Sequence, residues 1–114
     1  MNIVITGSSS GIGREVALRL SDDPKHRIYA IARGIKSLKS LSGASSHDNI
    51  IAVPMDIASG KSSLRELKNR LKREIGRLDI LINNAGHLVN KPFEDHSESD
   101  IASSLTVNFV SAAM

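Results

Sequence analysis

Apolar and polar positions along the chain switch between two periodicities. Ile3-Val4-Ile5 is a short apolar run closed by Thr6-Gly7, the pattern of a buried strand. From Ile12 the spacing changes. Ile12, Val16 and Leu20 recur every fourth position with Ala17 beside them, which predicts a helix that Asp22-Asp23-Pro24 stops. Ile28-Tyr29-Ala30-Ile31-Ala32 reads as a second strand. Ile35, Leu38 and Leu41 make one short helix, followed by a loop over 42–49. Ile50-Ile51-Ala52-Val53 is a third strand closed by Pro54. Residues 61–77 give the clearest helix, with Leu64, Leu67, Leu71 and Ile75 as its apolar stripe and Lys and Arg on the other faces. Leu78 to Ile82 is a fourth strand running into Asn83-Asn84-Ala85-Gly86. After a polar loop, Ser97 caps a last helix with Asp100 as its reciprocal partner. Ile101, Leu105, Asn108, Phe109 and Ala112 fall on one face of that helix, which the spacing predicts to point inward. Val107 to Met114 is apolar, stays in helical register and meets no Gly or Asn stop.

The order β-α-β-α-β-α-β-α predicts an α/β fold with a parallel sheet and right-handed crossovers. At 114 residues the chain is expected to be a single domain spanning 1–114. The aromatic fraction is only 3%, so Ile, Leu, Val and Ala must build the core, which suits strands buried on both faces. The same scarcity argues against a base-stacking surface for single-stranded nucleic acid. With no cysteine, disulfides and thiolate metal sites are excluded, and no metal site is expected. The chain opens without a basic leader, and no apolar run approaches the roughly 20 residues of a membrane helix, so a cytoplasmic protein without a membrane partner is expected.

The loop between the first strand and first helix carries the most chemistry. A helix N-terminus offers unpaired backbone N–H groups and partial positive charge, and glycines let the backbone turn sharply and let a pyrophosphate come close. The spacing is Gly7-x-x-x-Gly11-x-Gly13. It is neither the Gly-x-Gly-x-x-Gly of the standard dinucleotide fingerprint nor a nucleotide-triphosphatase loop, which would need Gly-Lys-Ser/Thr.

Thr6-Gly7-Ser8-Ser9-Ser10-Gly11-Ile12-Gly13 resembles the Thr-Gly-x-x-x-Gly-x-Gly motif of the short-chain dehydrogenase/reductase family, and Asn83-Asn84-Ala85-Gly86 resembles that family's second motif. The resemblance covers the chain from Met1 to Met114 and points to the non-extended branch. It implies a Rossmann-like three-layer αβα fold with a parallel sheet in the order 3-2-1-4. It also implies a nicotinamide dinucleotide as cofactor and hydride exchange with a small carbonyl or alcohol substrate. By the same resemblance Gly7, Ser9, Gly11, Ile12 and Gly13 line the pyrophosphate and ribose, while Asn83, Ala85 and Gly86 border the adenine ribose and the nicotinamide side. Asp56 matches the aspartate that accepts from the adenine amino group, with Ile57 flanking the ring; a turn cap is the plainer role for such an Asp.

The second strand ends Ile31-Ala32-Arg33-Gly34, without the acidic residue that holds the ribose 2′-hydroxyl of NAD. Arg33 offers a planar fork to a 2′-phosphate, so NADP is the expected cofactor and NAD the second choice. Arg14 on the first helical turn adds positive potential.

The family's proton-transfer residues, a Ser and a Tyr followed four residues later by a Lys, have no match. The single tyrosine, Tyr29, lies inside strand two and is followed four residues later by Arg33. Asn108 matches the asparagine that anchors a water in the proton relay and is the one member of the catalytic set present. A chain truncated at its C-terminus is therefore expected, either part of a working NADP-preferring enzyme or a non-catalytic dinucleotide binder. A third reading takes Lys61, Arg65, Lys68, Arg70, Lys72, Arg73 and Arg77 as a nucleic-acid surface; the outer face of a crossover helix is the preferred explanation. Oligomerisation through the last helix is a further expectation from the family.

Overall fold

The protein's structure is a computed structural model that describes residues 1–88, 90–110 and 112. The elements are β1 (Asn2–Thr6), α1 (Gly11–Ser21), β2 (Arg27–Ala32), α2 (Ile35–Ala44), β3 (Ile50–Pro54), α3 (Lys61–Glu74), β4 (Ile80–Ile82), a 3-10 turn (Phe93–Asp95), α4 (Glu98–Leu105) and a π-helical turn (Thr106–Val110). The strands form one sheet in the order β3-β2-β1-β4. Every neighbouring pair is parallel, with Thr6 beside Ile31 and Ile31 beside Val53. The carboxyl ends of the strands therefore share one rim. The expected 3-2-1-4 order is present.

Strand alternation sorts the apolar runs onto two faces. Ile3, Ile5, Ile28, Ala30 and Ile50 pack with Ala17 of α1 and Leu38 and Leu41 of α2. Val4, Tyr29, Ile31 and Val53 pack with Leu67, Leu71 and Ile75. Because helices cover both sides, β1 from Ile3 to Ile5 and β2 from Ile28 to Ala32 run apolar without alternating. Tyr29 is fully buried, and its hydroxyl donates to Glu74 Oε2 of α3 at 2.8 Å, so the phenol ties that helix to the sheet. At the opposite rim from the strand tips, Asn49 Nδ2 donates to the carbonyls of Ser21, Asp23 and His26, which fastens the loops around β2 together. No helix among the described residues is long and apolar enough to cross a membrane.

Three local expectations are corrected. The helix expected over 61–77 ends at Glu74, because Gly76 adopts φ +66° and its N–H, like that of Ile75, turns back to Leu71 O. A glycine just past the last turn takes the left-handed conformation at little cost and closes the helix. The fourth strand is accordingly shorter than expected and begins at Ile80. The last helix does not turn its spaced apolar residues inward. Ile101, Leu105 and Phe109 are 44%, 56% and 68% exposed, and Asn108 and Ala112 are exposed as well. The π turn over Thr106–Val110 shifts the helical phase only from Thr106 onward, at Asn108, Phe109 and Ala112; Ile101 and Leu105 precede it and are exposed on the regular helix. Of the expected helical run to Met114, positions 111, 113 and 114 lie outside the described residues.

Candidate functional site

The site grows from the contact between the β1–α1 loop and the segment after β4. Thr6 ends β1 with a buried hydroxyl, and its Oγ1 accepts the backbone N–H groups of Asn84 and Ala85, each at 3.1 Å. Asn84 Nδ2 donates back to Gly7 O at 3.0 Å. Glycine is needed on the facing side. Gly7 sits at φ +66°, and a Cβ there would lie 2.7 Å from the Ala85 Cα. A Cβ on Gly13 would collide with Asn84 Nδ2 and Gly7 O. The two glycine-containing motifs are thus one interlocked unit.

Ser8 fixes the loop to the neighbouring strand. It is fully buried, its N–H donates to Ile31 O at 3.3 Å, and its hydroxyl reaches the carbonyls of Ile5 and Ile31, both at 3.3 Å. The glycine loop and the tip of β2 are therefore held in register. The N-terminus of α1 then opens toward solvent. Ser10 makes no side-chain cap, and no acidic residue stands in the first turn. Gly11, at φ +57°, has nothing within 4 Å of where a Cβ would point. Uncapped N–H groups, the positive end of the helix dipole and an open approach to the backbone are the features an anion needs there.

Around this terminus lies a cleft of about 890 Å³ across the strand tips. Gly7, Ser9 and Ser10 form its floor, Arg33 and Asp56 stand among the residues after β2 and β3, and Asn84 to His87 follow β4. Ser103 and Val107 line it from the α4 side.

Of the candidate binding residues, Gly7, Ser9, Arg33, Asp56, Ile57, Ala85 and Gly86 all line this cleft. Gly11, Ile12 and Gly13 make the first turn of α1; Ile12 is 76% exposed, and Gly13 is buried against Asn84. Asn83 is not brought to the cleft. Strand alternation places it with Leu81 on the opposite face, in an apolar groove of about 330 Å³ beside Leu67 and Leu71 of α3. Arg33 is exposed at the rim. Asp56 Oδ1 accepts the Ala58 N–H at 2.9 Å, so this carboxylate caps its own turn while facing the cleft.

Asn108 clamps the backbone instead of pointing into the sheet. Its Oδ1 accepts the His87 N–H at 2.6 Å and its Nδ2 donates to the His87 carbonyl at 2.8 Å. The loop that follows is also tied to α4. Asp100 closes the capping box with Ser97 and pairs with Lys91. The hydrogen bond from Lys91, followed by that from the Ser97 N–H, lowers the Asp100 carboxyl to about 2.

Sequence reasoning located both motifs but missed how they interlock. The roles of Thr6, Ser8 and the Asn84 side chain depend on contacts between distant segments, and residue types alone gave no sign of the Asn108–His87 clamp. Position 89, in the polar loop after β4, lies outside the described residues.

The short chain dehydrogenase family matches residues 1–114. An uncharacterized oxidoreductase of Staphylococcus aureus (strain USA300) is 30% identical over 105 residues, which is 92% of this chain and 45% of the relative. Salutaridine reductase of Papaver bracteatum is 31% identical over 86 residues, covering 73% of this chain and 27% of its own. Among solved structures, a short chain dehydrogenase from Bacillus anthracis superimposes with TM-score 0.89 at 26% identity, covering 98% of this chain and 46% of that one. ElxO with NADP bound superimposes with TM-score 0.85 at 27% identity, again over 98% and 46%. The chain thus spans about half the length of the proteins it matches in full. With its matching motifs interlocked at the strand tips and the family match running from the first residue to the last, the chain belongs to the short-chain dehydrogenase family.

Proposed function

We propose that this chain is the NADP-binding portion of an oxidoreductase that exchanges hydride between the coenzyme and a small carbonyl or alcohol substrate in the cytoplasm. The observation that carries the reading is the uncapped N-terminus of α1, whose Ser10 lines a cleft that runs from Arg33 and Asp56 to Gly86 and His87. Its donor set fits a diphosphate: backbone N–H groups, serine hydroxyls and no carboxylate in the first turn. When bound, the coenzyme supplies or accepts the hydride.

Ser9 and the first turn of α1 hold the diphosphate. Arg33 meets the ribose 2′-phosphate with a bidentate fork, and Asp56 and Ile57 border the adenine. Ala85 and Gly86 border the nicotinamide end, and Asn108 keeps that stretch of backbone in place through His87. The solved structure of ElxO with NADP bound supports the choice of coenzyme.

Isothermal titration of the chain with NADPH and NADH tests the proposal. NADPH should bind more tightly, and Arg33→Asp should reverse the order by roughly tenfold to a hundredfold, the worth of a charge-assisted hydrogen-bond pair. Indifference of the chain to both coenzymes would overturn the reading.

A non-catalytic dinucleotide binder is the second reading, and Tyr29 favours it for the chain taken alone. The only tyrosine is sealed in the sheet with its hydroxyl on Glu74, so none of the chain's own phenols reaches the cleft to protonate a substrate. Steady-state turnover by the longest natural product carrying this chain separates the two readings.

A further inference from the structure

His87 lines the cleft directly after Gly86, at the end that follows β4. Both of its backbone polar groups are held by the Asn108 side chain, which is an unusual degree of fixation for an exposed loop residue. Nothing in the site as described so far uses its imidazole. Imidazole is the side chain whose charge ordinarily changes between about pH 5 and pH 8.

The charged groups on the elements around it are few. Its own loop carries Lys91, Glu94, Asp95 and His96, and α4 carries Glu98 and Asp100. Lys91 and Asp100 pair with each other. Arg33 and Asp56 follow β2 and β3, on the far side of β1 in the strand order. His87 is thus the titratable side chain nearest in sequence to the Ala85–Gly86 end of the cleft.

We propose that His87 makes the site distinguish the two redox states of the coenzyme: its protonated imidazole disfavours the oxidised, cationic nicotinamide and leaves the neutral, reduced ring unaffected. The inference rests on the placement of the nicotinamide beside Ala85 and Gly86 given above. The physical argument is Coulombic. The two coenzyme forms differ by one positive charge on the ring, so a cation beside the ring separates their affinities, whereas a neutral imidazole does not. Titration of the ribose 2′-phosphate, or of any group that senses only the phosphates, acts on both forms alike and cancels in the ratio of their dissociation constants.

The experiment measures Kd for NADP+ and NADPH on the chain by calorimetry at about pH 6 and about pH 8, toward the two ends of the range over which imidazole ordinarily changes charge. The ratio Kd(NADP+)/Kd(NADPH) is expected to rise roughly threefold from the higher to the lower pH. His87→Gln should flatten the ratio, and His96→Gln should leave it as in the parent chain. A flat ratio in the parent chain, a rise that survives in His87→Gln, or one abolished by His96→Gln would each overturn the role of His87. Tight, pH-invariant binding of both forms would remove this inference alone, whereas no binding of either form would remove the site reading with it.

Discussion

The hydroxyl of Thr6 accepts two consecutive backbone N–H groups, those of Asn84 and Ala85, which lie 78 and 79 positions further along the chain. One buried oxygen thereby satisfies the segment that leaves β4 and joins it to the loop that leaves β1. Thr6→Val keeps the shape and removes the acceptor. Two N–H groups are left without a partner in a part-buried place, so a loss of about 2 kcal/mol is expected in urea unfolding, with weaker NADPH binding. Thr6→Ser keeps the oxygen and should stay within about 1 kcal/mol of the parent. Equal effects from the two substitutions would show that packing of the methyl, not the hydroxyl, matters.

The glycines divide into those that touch and those that do not. Gly13→Ala drives a methyl into Gly7 O and Asn84 Nδ2, and the carbonyl is held by the same asparagine, so it has no free direction in which to yield. A loss of about 3 kcal/mol and of coenzyme binding is expected, the upper range for overpacking. Gly11→Ala meets open space, and only its φ of +57° counts against it, about 1 kcal/mol. Gly43→Ala, inside α2 with nothing within 4 Å, should stabilise the chain by about 0.5 kcal/mol. Thermal unfolding of the three variants checks the ranking.

These contacts also explain what the sequence disclosed. Ile3 to Ile5 and Ile28 to Ala32 are legible as strands because both their faces are covered, which leaves an unbroken apolar run. The Ser97–Asp100 box is legible because capping is local. Asn84 was legible as part of a motif, but its donation to Gly7 O joins residues far apart in the chain and leaves no periodic trace. Asn83 was read as bordering the coenzyme through the resemblance of the second motif, yet it lines the groove beside Leu81 and not the cleft, and a motif match does not show which way each of its residues faces. The end of α3 was missed because Lys72, Arg73 and Arg77 continue the basic pattern through Gly76, whose positive φ stops it.

Tyr29 carries a prediction about alkaline pH. Burial first, and then the hydrogen bond to Glu74, raise its phenol above the usual range. The folded chain therefore keeps the phenolic proton more tightly than the unfolded one. The stabilisation is fully present below the unfolded value of about 10 and is lost as pH rises through the folded value. Tyr29→Phe should remove that alkaline dependence and cost about 1 kcal/mol near neutrality, for one hydrogen bond to a carboxylate that stays partly solvated. Urea midpoints across the alkaline range, compared between parent and variant, give the test; parallel curves would disprove it.

Asp100 makes the opposite prediction in acid. Its carboxyl is lowered to about 2, first by the hydrogen bond from Lys91 and next by the Ser97 N–H. The contribution of the cap is present above the unfolded carboxylate value near 4 and is lost only as pH falls toward the folded one. Carbon-detected titration of Asp100 should therefore still find an ionised carboxylate at about pH 3, where an unperturbed Asp is mostly protonated. Asp100→Asn should speed amide exchange at Ser97 and Asp95 and loosen the loop that Lys91 anchors.

The Asn108 side chain both donates to and accepts from the backbone of His87, and that reciprocity can be dissected. Asn108→Ala removes both bonds to His87. Asn108→Asp keeps an oxygen for the His87 N–H but turns a second oxygen toward the His87 carbonyl, where two acceptors repel. If the clamp works as a pair, the aspartate is no better than alanine at protecting the His87 amide from exchange, even though it preserves the shorter bond. Because Asn108 is exposed, global stability should change by less than about 1 kcal/mol in either variant, so the effect should appear in local exchange and in affinity at the Gly86 end of the cleft. Retained protection in Asn108→Asp would mean that the bond to the N–H alone holds the loop, and that the amide donor of Asn108 is incidental.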